Sequence, residues 1–316
     1  MANIKDVAQR SGYSVATVSR ALNHHGYVSA TAQAKIEAAI ADLNYVPNGV
    51  AQDLSQGKTF TIGVVLPHMN HPYFNQLVHG ILTAAFSSAY QISLLPSRYD
   101  VAVETKYLAQ LKRKLFDGLI FASHEASLQY LAERQSWGPV VVCEDPGDLP
   151  LAAVYPDRQA GYLAALRWLK QGGIHQIGFL FARPADQSAT TAAALAAYRT
   201  LWPTAKAPLV VTNVLTYQDG YQIGTRLLAQ GNWPQALFTN GDAPAAGLQA
   251  AFAAAHQPAP QLIGQENQLA GRLLDLPTID NHLTEIGQQA FRLATEPRSP
   301  QPRLCIPAQF LLPAER

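Results

Sequence analysis

The apolar positions fall into two regimes that meet near residue 58. Over the first 58 residues there is no strand-like run, and apolar residues recur at helical spacing in three short stretches. In the third, from about Thr31 to Leu43, Ile36, Ala39, Ile40 and Leu43 stand at i, i+3, i+4 and i+7, one face of a helix. Local signals separate the stretches. Asn3 and Asp6 have capping-box spacing, Gly12 suits the exit of the first helix, and Ser14 can cap a second helix running through Leu22. Three short helices over about 45 residues can share one small core.

From Thr59 onward, short β-branched runs alternate with longer Ala-rich stretches of helical length. The predicted strands are 61–67, 91–96, 116–123, 139–145, 176–182, 207–214, 235–240 and 260–265, and the predicted helices include 73–89, 103–114, 158–171, 243–255 and 282–294. Continuous apolar strands alternating with helices predict parallel sheets covered on both faces. So many strands favour two α/β lobes over one doubly wound sheet. Ligands in such folds bind at the carboxyl ends of the strands. Between the two regimes, Pro47 fits the first position of a helix and Gly57 its end. That segment is shorter than the roughly 12–15 residues an isolated helix needs in water, and Gly49 weakens it further. It is predicted to be a linker that becomes helical when a partner orders it.

Composition excludes several classes. With 48% hydrophobic and 14% charged residues, the chain is too apolar for disorder and too polar for a membrane bundle. No apolar run reaches the roughly 18 residues of a spanning helix, so no membrane partner is expected. The N-terminus lacks the basic, apolar and small-residue order of a secretory signal, which predicts a cytoplasmic protein. Cys143 and Cys305 fit no metal spacing, and the H-x-x-H of His68 and His71 has no third ligand in view, so neither metal nor cofactor is expected. No phosphate-cradling glycine loop or nucleophile elbow points to an enzyme. Lys+Arg 23 against Asp+Glu 22 gives a net charge of +1, which by itself argues against nucleic-acid binding.

The N-terminal motif overrules that argument. In IKDVAQRSGYSVATVSRALN (4–23), Val7 and Ala8 face inward from the first helix, Val18 and Leu22 from the second, and the Ser11–Tyr13 turn lets the helices cross as a helix-turn-helix. Val15, Ala16, Thr17, Ser19 and Arg20 then lie near the exposed start of the second helix, where side chains reach base edges. Thr17 and Ser19 can bond phosphates or bases, Arg20 can take a guanine edge, and Val15 or Ala16 can touch thymine methyls. The alternative is an ordinary three-helix cap with a polar surface.

The pieces IKDVA (4–8), SVATVSRALN (14–23), VSATAQAKIEAAIADLNYVPN (28–48) and AQDL (51–54) resemble, in this order, the headpiece and hinge of the LacI family of bacterial transcription repressors. The resemblance implies an all-α helix-turn-helix headpiece (1–45), a hinge helix (46–58) and a periplasmic-binding-protein-like α/β effector and dimerisation domain (59–316). That domain would comprise two doubly wound parallel-sheet lobes, an N-lobe of about 59–151 plus 280–303 and a C-lobe of about 152–279 plus 304–316. It implies base reading by Val15, Ala16 and Arg20, and backbone contacts by Asn23, Tyr27 and Asn48. Leu54 falls where each hinge wedges a leucine into the minor groove, an insert that kinks a duplex. It further implies a homodimer on a pseudo-palindromic double-stranded operator and a small-molecule effector between the lobes. Residues 1–58 carry Lys5, Arg10, Arg20, Lys35 and Lys58 against Asp6, Glu37, Asp42 and Asp53. So modest a surplus implies binding through geometry and symmetry, with a shallow salt dependence.

For the effector, the loop PHMNHPYFNQ offers Asn70, Tyr73 and Phe74, an amide and two aromatic faces, although both rings could instead pack the helix start. Ser188 and Thr190 offer hydroxyls. Tyr217 falls where relatives hold an aromatic against the ligand, and Asp242 and Glu266 fall at acidic family positions. Asp242 could equally cap helix 243–255, and Glu266 could simply be solvated. Family members usually carry an arginine near Ala194, and none stands there. That departure disfavours an anionic effector and points to a neutral sugar. The expected function is repression of a carbohydrate-utilisation operon. The alternatives are a regulator dependent on a purine or phosphoprotein corepressor, and a sugar-binding protein without a DNA role, which the headpiece disfavours.

Overall fold

The computed structural model describes residues 2–23, 27–46, 57–69, 71–296 and 302–315, and the chain divides into two units, Met1–Phe60 and Thr61–Arg316. In the first unit the capping box forms as predicted. The Asn3 side chain accepts the Lys5 amide at 2.8 Å and the Asp6 amide at 3.4 Å, and Asp6 accepts the Asn3 amide at 2.8 Å. Helix α1 (Ile4–Ser11) ends at Gly12, whose φ of 77° lies in the left-handed region that glycine adopts without strain. The Ser14 hydroxyl accepts the Thr17 amide at 3.2 Å at the start of α2 (Val15–Asn23). Helix α3 (Ala30–Asp42) begins slightly earlier than its apolar period implied, because Ser29 accepts the Ala32 amide at 3.3 Å. Val7, Val18 and Ile36 are fully buried where the three helices meet, with Leu22, Ile40 and Leu43 packed around them. Arg10 Nε donates to Asp42 at 2.9 Å and ties α1 to α3.

The second unit holds twelve strands among its described residues: β1 (Thr61–Leu66), β2 (Gln91–Pro96), β3 (Gly118–Phe121), β4 (Val140–Val142), β5 (Ala152–Asp157), β6 (Ile177–Leu180), β7 (Leu209–Val211), β8 (Ala236–Thr239), β9 (Gln261–Gln265), β10 (Thr278–Asp280), β11 (Arg303–Pro307) and β12 (Gln309–Leu311). They form two six-stranded sheets, ordered β11-β5-β4-β3-β1-β2 and β12-β10-β9-β8-β6-β7. Every pairing is parallel except the antiparallel β10–β12 pair. Both faces of each sheet are covered, as continuous apolar strands require. On β1, Val64 and Val65 enter cores on opposite faces, and on β6 Phe179 and Leu180 do the same.

The eight predicted strands all form, each within its predicted span. The other four, β5, β10, β11 and β12, lie where the chain passes from one sheet to the other. The helix Arg158–Gln171 follows β5 into the second lobe, the helix Leu283–Thr295 returns to the first after β10, and β11 leads to β12 across Ala308. The chain therefore crosses at 157–158, 280–283 and 307–309, where crossings at 151–152, 279–280 and 303–304 were expected. A strand must traverse its own sheet before the chain can leave from its carboxyl end, which moves the first and last crossings later. Among the described residues no helix is long and apolar enough to cross a membrane.

Candidate nucleic-acid face and ligand cleft

On the smaller unit, α2 turns Val18 and Ala21 inward, which leaves Val15, 41% exposed, together with exposed Ala16 and Arg20 on the outer side of its first turns. Arg20 makes no ion pair among the described residues. Thr17 and Ser19 are half-buried. Thr17 Oγ1 lies 2.9 Å from Ser14 Oγ, and Asn23 donates to Ser19 Oγ at 3.3 Å, which leaves the Ser19 hydroxyl hydrogen available. Tyr27 is 90% exposed. This face combines a guanidinium, hydroxyls and small apolar groups on the start of a helix, the chemistry that reads base edges. Asn48 and Leu54 lie outside the described residues, as does Asn70.

On the larger unit a cleft of about 490 Å³ opens at the carboxyl ends of the strands. Segments following each of β1 to β4 line one side: His71, Tyr73 and Phe74; Tyr99; His124 and Glu125; Cys143 and Glu144. Arg158, Arg183, Ser188, Thr190, Asn213, Asn240, Gln265 and Glu266 line the other. Several contacts join the two sides. Arg183 pairs with Glu125 and lies 4.0 Å above the Tyr99 ring, Arg158 donates to the Tyr73 hydroxyl at 3.3 Å, and Gln76 donates to the Glu266 carbonyl at 2.8 Å.

The loop after β1 presents the aromatic faces. His71 caps the helix Pro72–Ala85 by accepting the Tyr73 amide at 3.2 Å on Nδ1, and Tyr73 meets Phe74 edge-on at 5.0 Å. Burial, with the charge of His68, pushes the His71 pKa down to about 4, so the ring is neutral near pH 7. Burial raises the Tyr73 hydroxyl well above the usual range and pushes the Cys143 thiol up to about 12. His124 Nδ1 donates to the Ala126 carbonyl at 2.7 Å, and its Nε2 lies 3.3 Å from Glu144 Oε1. Burial pulls the His124 pKa down, but the bond to Glu144 and its charge outweigh this and raise it. Glu144 is lowered in turn: burial opposes ionisation, and His124, Arg158 and Arg183 together overcome it. Beneath this loop the fully buried Glu104 carboxylate accepts the Glu125 amide at 3.0 and 3.1 Å and the Ala126 amide at 2.8 Å.

Glu266 follows β9 with φ 78°, only 4% exposed, so solvation does not account for it. Its Oε1 accepts from Asn281 at 2.9 Å, while Oε2 has no hydrogen-bond partner among the described residues. Burial raises its pKa to about 8, against the opposing bond from Asn281 and the charge of Arg158. Gln265, beside it, is fully engaged with the Tyr162 hydroxyl and the Thr239 carbonyl, both at 2.8 Å.

Tyr73, Phe74, Ser188, Thr190 and Glu266 therefore gather at one cleft, whereas Tyr217 and Asp242 lie elsewhere. The Thr216–Asp219 capping box starts a helix at Tyr217 and stacks that ring on Tyr221, leaving it 45% exposed outside the cleft, and Leu215 takes the lining position. Asp242 is fully buried, its carboxylate accepting the Gln268 amide at 2.6 Å and the Thr278 hydroxyl at 3.0 Å. A Cβ on Gly264 or Gly271 would collide with that carboxylate. Nor does Asp242 cap its own helix, whose cap residue is Gly241. Ala194 is fully buried in the core of the second lobe, so the residue there does not determine the charge of the cleft. The cleft's cations, Arg158, Arg183 and His124, come from positions the sequence did not single out for this role. Each follows the end of a strand, the one signal that could have flagged them.

Residues 59–312 match the family described as periplasmic binding proteins and sugar binding domain of LacI family, and residues 3–48 match bacterial regulatory proteins, lacI family. Catabolite control protein B of Bacillus subtilis is 38% identical over 293 residues, 93% of this chain and 94% of that protein. The ribose operon repressor of Escherichia coli is 29% identical over 320 residues, 96% of each chain. Among solved structures, the lac repressor dimer bound to operator and an anti-inducer superposes with a TM-score of 0.77 at 23% identity, over 98% of this chain and 97% of that one.

Proposed function

The chain belongs to the LacI family of bacterial transcription regulators, and from that premise we propose that it represses a carbohydrate-utilisation operon as a cytoplasmic homodimer without catalytic activity. The supporting observation is the pairing, in one chain, of the exposed α2 face with a cleft that combines two aromatic rings with buried polar groups. Two headpieces would occupy successive major grooves of a pseudo-palindromic operator, about one helical turn apart. Val15, Ala16 and Arg20 would read bases, and Thr17, Ser19, Asn23, Tyr27 and Asn48 would position the helix on the backbone. The two hinge segments would fold together in the minor groove, each inserting Leu54.

A sugar would stack on Tyr73 and Phe74, with Asn70, Ser188, Thr190 and Glu266 binding its hydroxyls. Relatives favour this ligand class: one is a ribose operon repressor, and a family member from Enterococcus faecium was solved with bound ribose. Any factor by which the sugar changes operator affinity is the factor by which the operator changes sugar affinity. Selecting bound sequences from a random duplex pool tests the DNA reading. The wild type should enrich a pseudo-palindrome, and Arg20→Ala should lose that discrimination while ligand-induced thermal stabilisation persists. Unchanged discrimination by Arg20→Ala would remove α2 as the reading helix.

A further inference from the structure

Counting the charges around the cleft leaves one cation without an answering carboxylate. Arg183 pairs with Glu125, and His124 stands 3.3 Å from Glu144. Arg158 makes one side-chain hydrogen bond, to the Tyr73 hydroxyl, and no ion pair among the described residues. Glu144 is near enough to feel its charge but is engaged with His124. Glu266, in the same wall of the cleft, stays largely protonated near neutral pH and supplies little counter-charge.

Arg158 is the first residue of the helix Arg158–Gln171 and is half-buried, so the helix dipole and lost hydration both oppose its charge. Burial lowers its pKa, but Tyr73, Glu266 and Glu144 outweigh that burial and raise it, so the guanidinium stays charged. The site nevertheless suits an incoming anion: a planar guanidinium with spare donors, with the hydroxyls of Ser188 and Thr190 in the same wall of the cleft.

We propose that the effector carries an anionic group, a carboxylate or a phosphate on a polyhydroxylated body, and that Arg158 receives that group. The inference rests on the reading of this cleft as the effector site. It replaces the neutral ligand expected from the absence of an arginine near Ala194.

Matched ligand sets decide it. Glucose, glucuronate and glucose 6-phosphate, and ribose with ribose 5-phosphate, would be compared by thermal shift and titration calorimetry on the full chain and on Arg158→Gln, Arg158→Lys and Phe74→Ala. At least one acid should bind tenfold or more tightly than its neutral parent. The carboxylate and phosphate arms tell the two anions apart. Arg158→Gln should lose roughly 10- to 100-fold for the acid, the range for a charge-assisted contact, and Arg158→Lys should restore part of it. An unchanged acid affinity in Arg158→Gln, neutral sugars that match their acids, or no stabilisation by any acid at about 10 mM would overturn the proposal. If Phe74→Ala leaves every bound probe unaffected, the cleft reading itself fails. If it weakens neutral sugars over which acids hold no advantage, only the charge inference fails.

Discussion

Replacing Glu266 by glutamine should make the protein progressively more stable than the wild type as pH rises from 5 to 8. Burial moves this carboxyl from its ordinary value of 4.5 to about 8. Below the lower value it is protonated in both the folded and the unfolded chain. Between the two values unfolding releases a proton that the folded protein retains. Stability is therefore fully present at low pH and is lost as pH rises, until the folded group also ionises. The folding constant should fall about tenfold per pH unit over this window, roughly a thousandfold or about 4 kcal/mol in all. Glutamine cannot ionise and can keep a bond with Asn281, so the difference between variant and wild type isolates this one group. All four tryptophans, Trp137, Trp168, Trp202 and Trp233, lie in the Thr61–Arg316 unit. Urea unfolding followed by tryptophan fluorescence at pH 5, 6, 7 and 8 thus reports that unit without interference from the headpiece. Parallel profiles, with a constant difference at every pH, would show that Glu266 is ionised in the folded state and would refute the reasoning.

Two further outcomes follow from packing. Ile36→Ala empties the centre of a core with few other large residues and should cost about 2–5 kcal/mol, enough to unfold the headpiece. Operator binding should disappear while tryptophan-detected unfolding stays at its wild-type midpoint, and retained operator affinity would contradict the assigned core. Glu104→Ala releases the Glu125 and Ala126 amides and should cost about 2–4 kcal/mol. Glu104→Gln, which keeps one acceptor, should lose less. Thermal melts with and without ligand should show both lower stability and weaker ligand stabilisation, and equal melting of both variants with the wild type would show that the carboxylate does not hold the cleft loop.

Most of the fold was legible because its signals are local. Asn3, Asp6, Gly12 and Ser14 mark their helix ends by short-range hydrogen bonds, and the eight central strands declare themselves as apolar runs. The strands at the crossings did not. In β5 the run ends in Pro156–Asp157, which reads as a turn, and β10 and β12 are only three residues each. Missing β5 also hid Arg158, whose role depends on standing just past a strand end. Tyr73, Phe74 and Glu266 were recoverable because they follow strands the pattern had already located. Tyr217 was placed by resemblance alone, and Asp242, like Glu266, by resemblance together with its place after a predicted strand. Which way such residues face is set by the Thr216 cap and by the glycines around Asp242, and neither constraint is visible in a position-by-position likeness.

The three crossings between the sheets set the mechanics of the larger unit. Two rigid bodies joined by one strap could swing, twist and slide. Joined at 157–158, 280–283 and 307–309, they are held close to a single rotational coordinate, with most other relative displacements opposed by covalent chain. A molecule entering the cleft therefore has one principal quantity to change, the angle between the lobes. Ligands of different shape would be read on the same dial, differing in where they set it.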